Sequence, residues 1–220
     1  MALSDVAGRV LGAGSRLVDR YNHIETAELL ELSDVGYEAP GCRNYEPSRR
    51  TLLRATLLQH DVSPDDVFAD LGSGKGRIVL DAAMHYPFRR VIGVEFLPML
   101  TAIAERNVRS FRGKLRCSDI ELVTSDVRDW VPPDDLTIAY MFNAVREELL
   151  DAVVGNLIAL VERRSRPLRL IYVNPRDHER VLATGAAVEL PGPSSLRLRL
   201  AHIPPRWVRV YEVRPRGTFT

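Results

Sequence analysis

The sequence predicts one α/β domain built on a mostly parallel sheet that is covered on both faces. Three observations carry this. Short apolar runs alternate with helical patterns from residue 67 onward, the runs are nearly continuous in apolar character, and several end in a polar residue. Strands alternating with helices imply crossover units, and runs without polar alternation imply burial on both sides.

The elements follow in order. Leu3, Val6, Ala7, Val10, Leu11, Leu17, Val18 and Tyr21 have the spacing of one helix face, weakened by Gly8, Gly12 and Gly14. A short helix is expected from Thr26 to Leu32, then a loop from Gly36 to Asn44. Pro47 suits the first turn of a helix reaching about Gln59. Together, residues 1–60 read as a helical cap that supplies part of a pocket, and residues 61–220 as the main domain. Five strands are expected at 67–71, 91–96, 120–126, 136–142 and 168–174. Helices are expected between them at 75–85, 98–111 and from Leu149 to Val161. The tail changes character. Ala187–Leu190, Leu196–Ile203 and Trp207–Val213 alternate and are joined by Pro and Gly, so they read as closing antiparallel strands.

Composition narrows the function. With 220 residues, 45% apolar and 27% charged, the chain is an ordinary globular length and mixture. No apolar run approaches the ~18 residues of a membrane span. Asp5 and Arg9 interrupt the leading stretch, so it does not read as a signal peptide. Cys42 and Cys117 lie far apart and form neither a disulfide framework nor a zinc pattern. No metal is expected, and a reducing cytoplasm is the default location. The net charge of +1 is uneven, because residues 151–220 alone carry +6. Almost all basic residues are arginine, which reads as composition as much as a binding surface. The excess is diffuse and lacks interleaved aromatics, so nucleic acid is not the expected partner.

The sharpest segment is Phe68-Ala69-Asp70-Leu71-Gly72-Ser73-Gly74-Lys75-Gly76-Arg77. A strand ends, three glycines follow at alternate positions, and a helix begins. Glycine removes side chains that would block a ligand, and a helix start offers free N–H groups. Glu95 ends the next strand and is placed to hold two ribose hydroxyls. Asp70, Glu95, Asp126, Asn143 and Asn174 all fall at strand ends, where open parallel sheets bind ligands. A P-loop fails at Ala69 and Gly76, and a dinucleotide fingerprint fails at Arg77. Asp70 would repel a pyrophosphate. It suits a ligand with positive charge and an amino group.

These residues resemble the first motif of the class I, seven-strand, Rossmann-like S-adenosylmethionine-dependent methyltransferases. The resemblance implies a doubly wound seven-strand sheet, S-adenosylmethionine as cofactor and S-adenosylhomocysteine as product. It implies cofactor contacts from Asp70, Gly72, Ser73, Gly74 and Gly76, from Glu95 with Phe96 beside it, and from Ser125, Asp126 and Val127 near the adenine. Tyr45-Glu46-Pro47-Ser48 is similar to a segment of a bacterial branch related to the non-SET histone lysine and ATP-synthase subunit c lysine methyltransferases. There, Tyr45 and Ser48 fold over the methionine part of the cofactor. Asn143 matches the Asn of an N-methyltransferase motif, where it also meets the cofactor and aims the acceptor nitrogen. Ala144 and Val145 depart from the Pro and aromatic of that motif. The plainer alternatives are a helix N-cap for Asn143 and a turn residue for Asp126. Glu46, His23 and His178 are candidate bases, with Glu46 taken first. Lys75 reads as solvated or substrate-facing.

The expected activity is N-methylation of a small molecule or biosynthetic intermediate. A protein lysine is the alternative acceptor, and an inert cofactor-binding protein the second alternative. Replacing Asp70 or Glu95 with alanine is expected to abolish cofactor binding while leaving the fold intact.

Overall fold

The protein is described from a computed structural model that covers residues 14–31, 45–142 and 147–217. Seven strands form one sheet: β1 (Val67–Leu71), β2 (Arg90–Glu95), β3 (Ile120–Thr124), β4 (Ile138–Phe142), β5 (Leu168–Val173), β6 (Ala187–Glu189) and β7 (Val208–Val213). Their order is β3-β2-β1-β4-β5-β7-β6. The first five pair in parallel, while β7 is antiparallel to both β5 and β6. This is the doubly wound, Rossmann-like α/β arrangement. The order reverses between β1 and β4, where Asp70 pairs in register with Tyr140. Such a reversal splays the connections apart and opens a crevice at the carboxyl ends of the strands.

Strands β1, β2 and β4 are almost wholly buried, which accounts for their unbroken apolar runs. Phe68, Val91, Ile138 and Ile171 join one core cluster, and Val67, Ile92, Ala139 and Leu170 join another. Alternate residues of each strand thus feed the two clusters.

Helix α1 is described over residues 14–22 and α2 spans Leu52–Thr56. The crossovers are α3 (Arg77–His85), α4 (Pro98–Ser110), α5 (Glu148–Arg164) and α6 (His178–Ala183), and α7 (Ser195–Leu200) lies between β6 and β7. Helix α5 buries Leu150, Val153, Val154, Leu157, Ile158 and Val161 as one stripe. Each such side chain contributes roughly 1.5–3 kcal/mol.

Three expectations fail. Residues 24–31 are not helical. Leu30 instead bridges Tyr45 through two backbone hydrogen bonds of 2.9 and 3.1 Å. The helix expected from Pro47 to Gln59 shrinks to α2. Its chain turns extended at Leu57, where the buried Tyr86 hydroxyl donates to the Leu57 carbonyl at 2.7 Å. A distant tyrosine thus takes an orphan carbonyl at the end of α2, a contact no local pattern announces. Residues 195–200 are helical rather than extended. Ser194 caps α7 by accepting from the Arg197 N–H at 3.3 Å, and only Leu198 of the alternating leucines is buried. The expected loop at 36–44 and the first part of the leading helix lie outside the described residues.

Candidate functional site

Glycine sets the shape of the β1–α3 turn. Gly72, Gly74 and Gly76 have φ of 83°, 54° and 78°, all in the left-handed region. The N–H groups of Gly72 and Ser73 both donate to the Val94 carbonyl at 2.9 Å, which folds the turn across the end of β2. There Glu95 receives it. One carboxylate oxygen accepts from the Gly74 N–H at 2.9 Å and the other from the Leu97 N–H at 3.0 Å. Burial pushes the Glu95 carboxyl up, and these backbone donors oppose the push. Glu95 therefore fastens the turn as well as lying at the rim. An alanine there would cost structure, contrary to the expectation of an undisturbed fold.

Asp70 is the contrasting carboxylate. It is 3% exposed, and no hydrogen bond reaches its side chain among the described residues. Burial, reinforced by the nearby Glu95, pushes its pKa up to about 8. An ionised carboxylate without a donor is costly in such a place. A cationic or N–H-bearing group beside it would favour its ionised form. S-adenosylmethionine carries both a sulfonium and an ammonium, so the donor set fits this cofactor.

The leading segment forms the other wall. The Tyr45 ring lies so close to Gly74 that a Cβ there would sit 2.3 Å from two ring carbons. Its hydroxyl donates to the Thr26 carbonyl at 2.9 Å, and burial pushes its pKa well above the ordinary value. Phe96, Tyr45 and Leu30 each pack against Leu97 and Leu100. Ser48 is buried, and its carbonyl accepts from Arg77 at 2.9 Å.

Sequence reasoning missed the group that holds this wall. Arg77, the first residue of α3, is buried and also donates through Nε to Thr26 Oγ1 at 2.9 Å. Its remaining NH2 nitrogen has no hydrogen-bond partner, and burial pulls its pKa down. Asp19 accepts from the Thr26 N–H at 2.6 Å and pairs with Arg50. Asn107 on α4 accepts from the Glu25 N–H at 2.7 Å and donates to the carbonyls of Glu25 and Lys75 at 3.0 and 2.9 Å. Buried polar groups so far apart in sequence leave no local signal.

Lys75 is also corrected. It is buried, pairs with Glu25 at 3.0 Å and lies 5.6 Å from the Tyr45 ring centroid. That is a cation on an aromatic face rather than a solvated group.

The remaining candidates sit as follows. The Ser125 N–H donates to the Glu95 carbonyl at 2.9 Å, which places residue 125 beside the rim acid. The Asp126 carboxylate turns onto Arg128, accepting from its N–H at 2.9 Å and from its guanidinium at 2.6 Å, and this holds its pKa low. Val127 packs with Trp130 against the core cluster of α5. Glu46 is exposed on the segment after Tyr45. His23 ends α1 with its carbonyl held by Ser110 at 2.6 Å, and His178 contacts Glu179 at 3.3 Å. Asn143 lies outside the described residues. Among the described residues no cluster of His, Cys, Asp and Glu is fit to hold a metal. None of their helices is long and apolar enough to cross a membrane.

Comparison with known proteins adds to this geometry. The family model for Histone methylation protein DOT1 matches residues 30–127, which run from the Leu30–Tyr45 bridge through the glycine turn to Val127. A tRNA (guanine-N(7)-)-methyltransferase of Oenococcus oeni is 33% identical over 63 residues, 29% of this chain and 28% of that protein. A protein-lysine N-methyltransferase of Saccharolobus islandicus is 39% identical over 51 residues, 23% of this chain and 32% of that protein. The chain thus matches less than a third of the length of each of these curated relatives. Among solved structures, a mitomycin 7-O-methyltransferase superposes with a TM-score of 0.49 at 13% identity, over 68% of this chain and 49% of that one.

Proposed function

We propose that the protein is an S-adenosylmethionine-dependent methyltransferase acting on nitrogen. The observation that carries this is Asp70: a buried carboxylate without a described donor, at the point of sheet reversal, beside a turn of left-handed glycines. The family match supports it, since it covers the turn and both walls of the rim. Both curated relatives are described as methyltransferases of a nitrogen atom.

When bound, the cofactor supplies a sulfonium-activated methyl group for in-line transfer to a nucleophile. We assign this chain's residues the following roles toward it. Asp70 accepts from the ammonium and offsets the positive charge. Glu95 offers its remaining lone pairs to the ribose hydroxyls while holding Gly74. The backbone of Gly72, Ser73, Gly74 and Gly76 lets the ligand approach closely. Phe96, Ser125 and Val127 line the adenosine end, and Asp126 reaches the adenine amino group through lone pairs that Arg128 leaves open. Tyr45 and Ser48 close over the methionine end and exclude water. Asn143 aims the acceptor's lone pair, and the exposed Glu46 takes its proton.

The acceptor is a small molecule or biosynthetic intermediate in the reading that the close-packed leading segment supports. A protein lysine is the second reading, favoured by the histone-methylation family match and the archaeal relative. Calorimetry with S-adenosylmethionine tests the cofactor. Radiolabelled methyl transfer into extract, split into small-molecule and macromolecular fractions, tests the acceptor. Cofactor binding with label in one fraction is expected. Failure to bind the cofactor refutes the reading, and binding without label in either fraction shows an inert cofactor-binding protein.

A further inference from the structure

Three arginines of the C-terminal third, Arg197, Arg199 and Arg206, share a surface with Arg49 and Arg54 of the leading segment. Between Glu189 and Glu212 the chain has no acidic residue. Helix α7, inside this stretch, packs against α2: Arg197 donates to the Arg54 carbonyl at 2.6 Å, and Arg49 donates to the His202 carbonyl at 2.6 Å. Arg49, Arg197, Arg199 and Arg206 make no salt bridge among the described residues. Arg54 has only Asp81, a buried acid 3.6 Å away. Each guanidinium has five N–H donors, and the backbone contacts named here use one of them in Arg49 and one in Arg197.

One edge of this surface reaches the rim that holds Asp70 and Glu95. Arg49 follows Ser48, whose carbonyl is fixed by Arg77 at the glycine turn. At the other end, the Asn174 N–H, just past the carboxyl end of β5, donates to the Trp207 carbonyl at 2.7 Å. The basic face therefore meets the carboxyl edge at Arg49 and residues 202–207, and from there α2 and α7 run down the sheet face beside α3, where Arg54 pairs with Asp81 and Arg197 lies near Tyr86 just past the end of α3. Its outer face is also apolar. Leu196 and Leu200, one helical turn apart on α7, are 65% and 73% exposed and flank the arginines.

We propose that the α2–α7 face docks an acidic polypeptide segment carrying exposed apolar side chains, which flanks the methyl-accepting residue. Charge complementarity selects an anionic partner. The two leucines select a polypeptide over nucleic acid, because a phosphate backbone offers them nothing to pack against. Among the described residues, Tyr86 beside the patch is buried and the half-buried Trp207 packs against the same core cluster. This inference rests on the methyl-transfer reading and takes the second of its two acceptors, a protein, over the small molecule.

The test uses the full chain and three defined probes: a fluorescent Glu/Leu peptide with one central lysine, single-stranded poly(U), and phosphatidylglycerol vesicles. Wild type is expected to bind the peptide more tightly than poly(U), and to bind no vesicles. Peptide affinity should fall at least tenfold between 50 and 300 mM salt. An Arg197→Glu/Arg199→Glu variant should lose at least tenfold in peptide affinity, and Leu196→Ser/Leu200→Ser severalfold, both with unchanged S-adenosylmethionine affinity. Tighter binding of poly(U), binding of vesicles, or peptide affinity indifferent to all four substitutions would overturn the proposal. Loss of cofactor binding by wild type would instead sink the methyl-transfer reading, so the two failures are distinguishable.

Discussion

Replacing Asp70 with asparagine should leave the cofactor-free protein increasingly more stable than wild type as pH rises, while removing its affinity for the cofactor. The magnitude follows from the carboxyl's burial. Its pKa moves from 3.8 to about 8 on folding. Below 3.8 both the folded and the unfolded chain hold the proton, and there is no penalty. Between 3.8 and 8 the unfolded chain releases it and the folded chain retains it. Stability then falls by about 1.4 kcal/mol per pH unit. From pH 5 to 7.5 that is on the order of 3 kcal/mol, and Asp70→Asn cannot show it because an amide does not titrate. Urea unfolding of both proteins across this range reads the difference directly. The same chemistry predicts a proton in the binding reaction. A cation beside Asp70 favours its ionised form, so binding of S-adenosylmethionine at pH 7 should release close to one proton. Calorimetry in buffers of different ionisation enthalpy measures it. Parallel stability profiles for the two proteins would refute the assignment of a protonated Asp70. A buffer-independent binding enthalpy at pH 7 would refute its role in holding the ligand's charge.

Other expected outcomes concern the turn and its wall. Gly74→Ala places a Cβ at positive φ and against the Tyr45 ring, costing about 1–2 kcal/mol for the conformation and about 1 kcal/mol more if the Tyr45 hydrogen bond is lost. Urea midpoints report it. Gly155→Ala, inside α5 with open space around the new carbon, should instead stabilise by about 1 kcal/mol. Glu95→Ala leaves the N–H groups of Gly74 and Leu97 without their acceptor, a loss of about 3 kcal/mol. Equal stability of that variant and wild type would show that Glu95 does not fasten the turn. Arg77→Lys keeps the charge but cannot reach Thr26 and Ser48 with one fork, so limited proteolysis should cut residues 19–31 faster than in wild type.

The inner strands β1, β2 and β4 were legible because their burial on both faces wrote itself as continuous apolar runs. The glycine turn was legible because a left-handed backbone demands its residue type at Gly72, Gly74 and Gly76. Helix α7 was not, because Leu-Arg alternation over six residues fits a strand, and what decides for a helix is the Ser194 cap and the burial of Leu198 alone. The leading segment was the least legible. It is placed by Asp19, Thr26, Arg77 and Asn107, polar residues that read as ordinary surface until partners 7 to 82 positions away are known. For the same reason Glu95 read as a ligand contact and not as the clasp of its own turn.

Asn107 carries a consequence for how this protein can vary. Its amide engages both backbone groups of residue 25, mimicking a peptide unit with fixed polarity. Sliding the leading segment by a single position would bring a different residue to that amide, take Thr26 away from Arg77, and pull Tyr45's hydroxyl off its acceptor. The segment is thus addressed to one register rather than held by general stickiness. Insertions or deletions between residues 19 and 26 should be far more damaging than changes of side chain along the same stretch.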